Sequence, residues 1–116
     1  MIPVRSPTVH RLDTDELMVI GGCRGKRDHI ADVQVYDHAQ SAWHLHQTLR
    51  LNHARSCHMS AIVGHNLFVL GGWDGLECLD SVEKASLNAQ APAFELLPRR
   101  SGLLDRIKNG CCVFDD

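Results

Sequence analysis

The chain reads as an all-β protein assembled from repeated, short antiparallel sheets, and three observations predict this. Leu17-Met18-Val19-Ile20-Gly21-Gly22 recurs as Leu67-Phe68-Val69-Leu70-Gly71-Gly72, a lag of 50 residues that also carries Arg5-Ser6 onto Arg55-Ser56 and Gly25 onto Gly75. Self-similarity at such a period marks a repeat array. After each double glycine a polar loop leads to an alternating segment, Asp32-Val33-Gln34-Val35-Tyr36-Asp37 and then Ser81-Val82-Glu83-Lys84, and period two is the signature of a strand. The 116 residues are 44% hydrophobic and 22% charged, a balance that supports a folded core rather than disorder.

Taken in order, each unit supplies about four strands. The acidic cluster Asp13, Asp15 and Glu16 reads as a solvated turn before the first apolar strand. Leu-Phe-Val-Leu at 67–70 is apolar at every position, so both faces of that strand must be covered. The glycines that follow remove two Cβ atoms, permitting positive φ and close backbone approach. A turn-like stretch from Asp37 to Ala42 leads to Trp43-His44-Leu45-His46, and the second unit offers Phe94-Glu95-Leu96-Leu97 after a longer connection. Arg106 to Asp116 is similar to Arg55 to His65 at a shift of 51. The organisation expected is a lead-in at 1–4, repeats at 5–54 and 55–105, and the start of a third repeat at 106–116. Four-stranded sheets stacked face to face about an axis are propeller blades. Two such blades cannot close, since propellers use roughly 4–8, and repeat units bury their faces only against neighbours. An incomplete ring is therefore expected, whether as a fragment, a truncated isoform or a homo-oligomer that completes the ring.

Composition excludes several functions. With 12 Lys+Arg against 14 Asp+Glu the net charge is −2, which supplies no phosphate-neutralising field for nucleic acid. The N-terminus lacks an apolar signal segment, and the apolar runs at 17–20 and 67–70 are too short to cross a bilayer. Five cysteines at 23, 57, 78, 111 and 112 form an odd count without framework spacing, which points to a reducing, cytoplasmic setting. His44-x-His46, with His53, Cys57 and His58 nearby, lacks the paired spacing of a zinc site, and no metal or other cofactor is expected. Cys57 and His58 are adjacent, so on a strand they point to opposite faces and make no nucleophile and base pair. No catalytic residue is assigned.

The Arg-Ser opening, the apolar strand ending in Gly-Gly, the Asp32–Asp37 strand and Trp43 seven residues after Tyr36 together resemble the kelch repeat, whose period is about 50 residues. The second unit departs from the pattern, with Ala85-Ser86 in place of Tyr-Asp and Phe94 in place of Trp. The style of the repeat is most similar to the BTB-kelch adaptors. That resemblance implies a protein or peptide ligand captured by propeller loops for cullin-dependent ubiquitin transfer, although the BTB region is absent from this chain. Actin-binding kelch proteins, a truncated form without independent activity, and a copper-radical oxidase are the alternatives. The oxidase would need tyrosine ligands, and Tyr36 is the only tyrosine.

The resemblance places the residues after each double glycine and after each opening Arg at one mouth of the propeller: Cys23, Arg24, Trp73 and Asp74, with Ser6, Ser56 and Ile107. Loop chemistry adds Lys26 and Glu77, because the basic loop 23–29 and the acidic, aromatic loop 73–78 diverge where the flanking framework agrees. Tyr36 and Trp43 are expected to pack between blades.

Overall fold

The computed structural model describes residues 3–98, and its strands form at the apolar and alternating segments. They are β1 (Thr8–Arg11), β2 (Glu16–Ile20), β3 (Cys23–Gly25), β4 (Asp28–His29), β5 (Asp32–Asp37), β6 (Ala42–Arg50), β7 (Met59–Val63), β8 (Asn66–Leu70), β9 (Val82–Ser86) and β10 (Glu95–Leu96). Two four-stranded sheets result, in the orders β1-β2-β5-β6 and β10-β9-β8-β7, and β3-β4 is a separate hairpin. Every pairing is antiparallel. There is no helix among the described residues, and none long and apolar enough to cross a membrane. The architecture is all-β and blade-like. Residues 106–116, including Ile107, lie outside the described residues.

One core joins the two sheets. Side chains alternate across a strand, so Met18 and Ile20 of β2 leave one face with Val33, while Leu67, Val69 and Ala85 leave the facing side of the second sheet; all six are buried in a single cluster with Leu49, Leu51 and Phe94. Burying each large aliphatic contributes about 1.5–3 kcal/mol. Two side-chain hydrogen bonds also cross between the sheets, Thr8 Oγ1 to His58 Nε2 at 3.0 Å and His10 Nε2 to Ser60 Oγ at 2.6 Å. Within the described residues the opposite face of β8 is only half covered: Phe68 and Leu70 are partly exposed, so the expected burial of both faces is met on one.

Backbone geometry corrects the register of the repeat. Arg5 and Ser56, rather than Arg5 and Arg55, occupy matching places: Arg5 pairs with Cys23 just after the first double glycine, and Ser56 pairs with Trp73 just after the second. Ser6 and Cys57 share the same positive φ of 54°. The opening segments therefore correspond at 51 residues, while β2 and β8 correspond at 50. The connections absorb the difference, since Leu12–Asp15 links β1 to β2 and Gly64-His65 links β7 to β8. Val4 is thus the counterpart of Arg55, and the Arg-Ser identity at a lag of 50 is a coincidence of sequence.

Tyr36 and Trp43 pair across β5 and β6 with ring centroids 5.1 Å apart. They lie on the face of the first sheet turned away from β8 and are half-buried, so they take no part in the core between the two described sheets. Their counterparts in the second sheet, Ala85 and Phe94, are the ones in the core.

Burial, reinforced by the charge of Arg55, lowers His58 to a pKa of about 4 from its ordinary 6.5. The folded state therefore holds His58 neutral, and the unfolded chain takes up the proton first as pH falls. Stability from this site is complete above pH 6.5 and is lost between 6.5 and about 4, a change of about 3 kcal/mol. Urea midpoints at pH 7.5 and 4.5 check this: His58→Gln, which retains a partner for Thr8, loses markedly less stability across that interval than the wild type. Equal losses would contradict the assignment.

Candidate functional site

Each double glycine ends an apolar strand and turns the chain into a loop. Gly71 and Gly72 have φ of 63° and 98°, and a Cβ on Gly72 would lie 2.6 Å from the carbonyl oxygen of Ser56. That close approach is what lets Ser56 and Trp73 exchange backbone hydrogen bonds of 2.9 and 2.8 Å. Gly22 in turn donates to the carbonyl of Arg55 at 2.8 Å, tying the end of the first sheet to the opening of the second.

These constraints bring the two divergent loops into contact. The basic loop closes as the β3-β4 hairpin, with Arg24 within 3.6 Å of Asp28 at the surface and the His29 ring donating to the carbonyl of Lys26 at 3.2 Å. In the other loop, Asp74 Oδ1 accepts the backbone N–H groups of Leu76 and Glu77, both at 2.8 Å, an Asx turn. A Cβ on Gly75 would meet the His29 ring at 3.0 Å, so the loops touch there. Between them opens a cavity of about 420 Å³ lined by Arg27, His29, Asn52, His53, Ala54, Asp74, Glu77 and Leu79. Cationic and imidazole groups come from the first loop and carboxylates from the second.

A buried ion pair sits behind this cavity. Arg55 and Glu83 are both fully buried, with Arg55 Nη2 2.7 Å from Glu83 Oε2. Arg55 also donates to the carbonyls of Gly71 and Ser81 at 2.8 and 3.1 Å and to Ser81 Oγ at 2.9 Å. Burial pulls the Arg55 guanidinium below its ordinary pKa while the Glu83 carboxylate opposes that pull; an arginine keeps its charge in proteins. The free lone pairs of Glu83 accept the backbone N–H of Asn52 at 2.6 Å and of His53 at 3.1 Å, and Asn52 Nδ2 donates to Oε1 at 3.0 Å. The ion pair thereby holds two wall residues of the cavity in place. In the first sheet the matching positions are Val4 and the buried Gln34, a neutral substitute for both charges at once.

Of the residues expected at a binding mouth, Asp74 and Glu77 line the cavity. Ser6, Arg24 and Lys26 are exposed and do not line it, although Arg24 and Lys26 shortly precede the lining residue Arg27, and Cys23 and Trp73 are half-buried beside the double glycines. Ser56 is 2% exposed; the one-residue register shift turns it inward, so its expected exposed hydroxyl is not met and Cys57 takes the place corresponding to Ser6. Sequence reading missed Asn52, Ala54 and Leu79, weighed His53 only as a metal ligand, and covered Arg27 and His29 only within the basic loop 23–29. No group of three or more His, Cys, Asp or Glu side chains that could hold a metal occurs among the described residues.

Comparison with known families places a motif on this framework. The Kelch motif model matches residues 54–84, a span that opens one residue before Arg55, covers β7, β8 and the second double glycine, and closes one residue after Glu83. No curated protein matches the chain. The protein is therefore an all-β chain of blade-like antiparallel sheets that carries a Kelch motif at residues 54–84.

Proposed function

We propose that this chain is a protein-interaction module that takes a peptide segment of its target into the inter-loop cavity. Kelch repeats generally mediate binding between proteins, and the observation that carries the reading is the division of charge across one cavity, with Arg27 on one wall and Asp74 and Glu77 on the other. Such a site favours a segment bearing an acidic and a basic residue close together, because each charge then meets its complement and the reversed arrangement is repelled. Arg24, Lys26 and Trp73 at the rim extend the contact, with Trp73 as the apolar anchor.

A displayed random-peptide library tests this directly. Peptides enriched on the wild type should carry neighbouring opposite charges, and Arg27→Glu or Glu77→Lys should each weaken them tenfold or more, about 1.4 kcal/mol. Enriched peptides that bind both variants as tightly as the wild type would contradict the site.

The finer reading, supported by the style of the Asp32–Asp37 strand and Trp43, is target capture for cullin-dependent ubiquitin transfer. Proteins retained by the wild type and not by Arg27→Glu should then accumulate in cells when cullin ligases are inhibited; unchanged levels would contradict that role.

A further inference from the structure

We propose that the two outward sheet faces of this chain mate with one another, head to tail, so that copies of the chain assemble into a closed ring. The matching of positions between the sheets shows what each face is built for. Leu17, Tyr36 and Trp43 on the outward face of the first sheet correspond, by strand register, to Leu67, Ala85 and Phe94, which form the buried half of the inter-sheet core. Conversely, Phe68 and Leu70 on the outward face of the second sheet correspond to Met18 and Ile20, the other half of that core. The two outward faces thus repeat, with different residues, the two surfaces that already meet inside the chain.

The polar contacts identify the occupant. Inside the chain the faces are joined by Thr8 with His58 and His10 with Ser60. At the matching positions of the outward faces stand Met59 with Pro7 and Ala61 with Val9. Both members of each pair have become apolar together, and Val9 and Met59 are 54% and 53% exposed. Large apolar side chains left half open on both outward faces mark surfaces that associate. An apolar face opposite the polar Ser60 and His58 would strand their hydrogen-bonding groups, so each outward face fits the other better than it fits the inner ones. A second copy of this chain supplies the required surface. The contact is heterologous and closes when the blade count reaches the propeller range of about 4–8, hence about two to four copies.

Light scattering on the eluting full chain, with circular dichroism to confirm the β-fold, tests the proposal. A single species of two to four times 12.9 kDa is expected. Val9→Glu alone and Ala61→Lys alone should each reduce it to one chain, and the double variant should restore it because the two positions face each other across the contact. A folded wild-type monomer, as arises if residues 106–116 or blades on another polypeptide cover these faces, overturns the proposal. So do open-ended growth, an assembly indifferent to both single changes, and failure of the double variant to reassemble.

Discussion

Glu83→Gln lowers the unfolding free energy of this protein by about 3–5 kcal/mol, because it leaves the Arg55 guanidinium buried without a counter-charge. The expectation rests on geometry rather than on the presence of an ion pair as such. Exposed pairs like Arg11 with Asp15, both largely in solvent, contribute little. Arg55 and Glu83 are fully buried, and between them they satisfy the carbonyls of Gly71 and Ser81 and the backbone amides of Asn52 and His53. Arg55→Val alone should cost a similar amount by stranding the carboxylate. The double variant Arg55→Val with Glu83→Gln reproduces the Val4 and Gln34 arrangement of the first sheet and should be more stable than either single variant. Urea denaturation of the four proteins measures the coupling; additive losses would show that the two groups do not act as a unit. The single variants should also weaken peptide binding, since Asn52 and His53 lose their anchor, although neither charge lines the cavity.

Gly72→Val destabilises the fold by about 2–4 kcal/mol. Its φ of 98° is costly for any residue with a Cβ, and that Cβ would press on the Ser56 carbonyl at 2.6 Å and the His58 Cβ at 2.9 Å. Relief would require parting the backbone pair between Ser56 and Trp73, which fixes the second loop. Gly64 is the control: its φ is 63° but nothing lies within 4 Å of a Cβ there, so Gly64→Asn, a residue that tolerates the left-handed region, should cost less than about 1 kcal/mol. Thermal melts of the two variants separate close approach from conformation. Equal losses would show that the backbone contact at Gly72 contributes nothing.

What could be read from the amino-acid sequence depended on whether a feature was local. Asp32–Asp37 alternates over six residues, and β5 forms over those residues because it pairs with a strand on each side, although burial there covers both faces at Val33, Gln34 and Val35. The Gly-Gly pairs marked strand ends because no other residue takes that conformation so easily. The β3-β4 hairpin was not legible: Cys23-Arg24-Gly25 has no alternation, and its pairing shifts register between Cys23 and Gly25. The true correspondence of the repeats was also hidden, since Arg5-Ser6 and Arg55-Ser56 are identical in letters while the backbone matches Arg5 to Ser56. Matching those letters set Ser56 beside Ser6 at the propeller mouth, whereas Ser56 is buried. The cavity escaped because its walls come from three separated segments, and Arg55 and Glu83, charged residues in a sequence of ordinary charge content, carry no mark of their burial.

The cavity depends on the two sheets meeting through a single core, which together with the Gly22 to Arg55 backbone bond sets loop 23–29 beside loop 73–78. Methyl nuclear Overhauser measurements on the selectively labelled chain test it most directly. Contacts from the Met18 and Ile20 methyl groups to those of Leu67 and Val69 are predicted, since these residues share one buried cluster. Contacts confined to pairs within each sheet would contradict the face-to-face arrangement and, with it, the cavity.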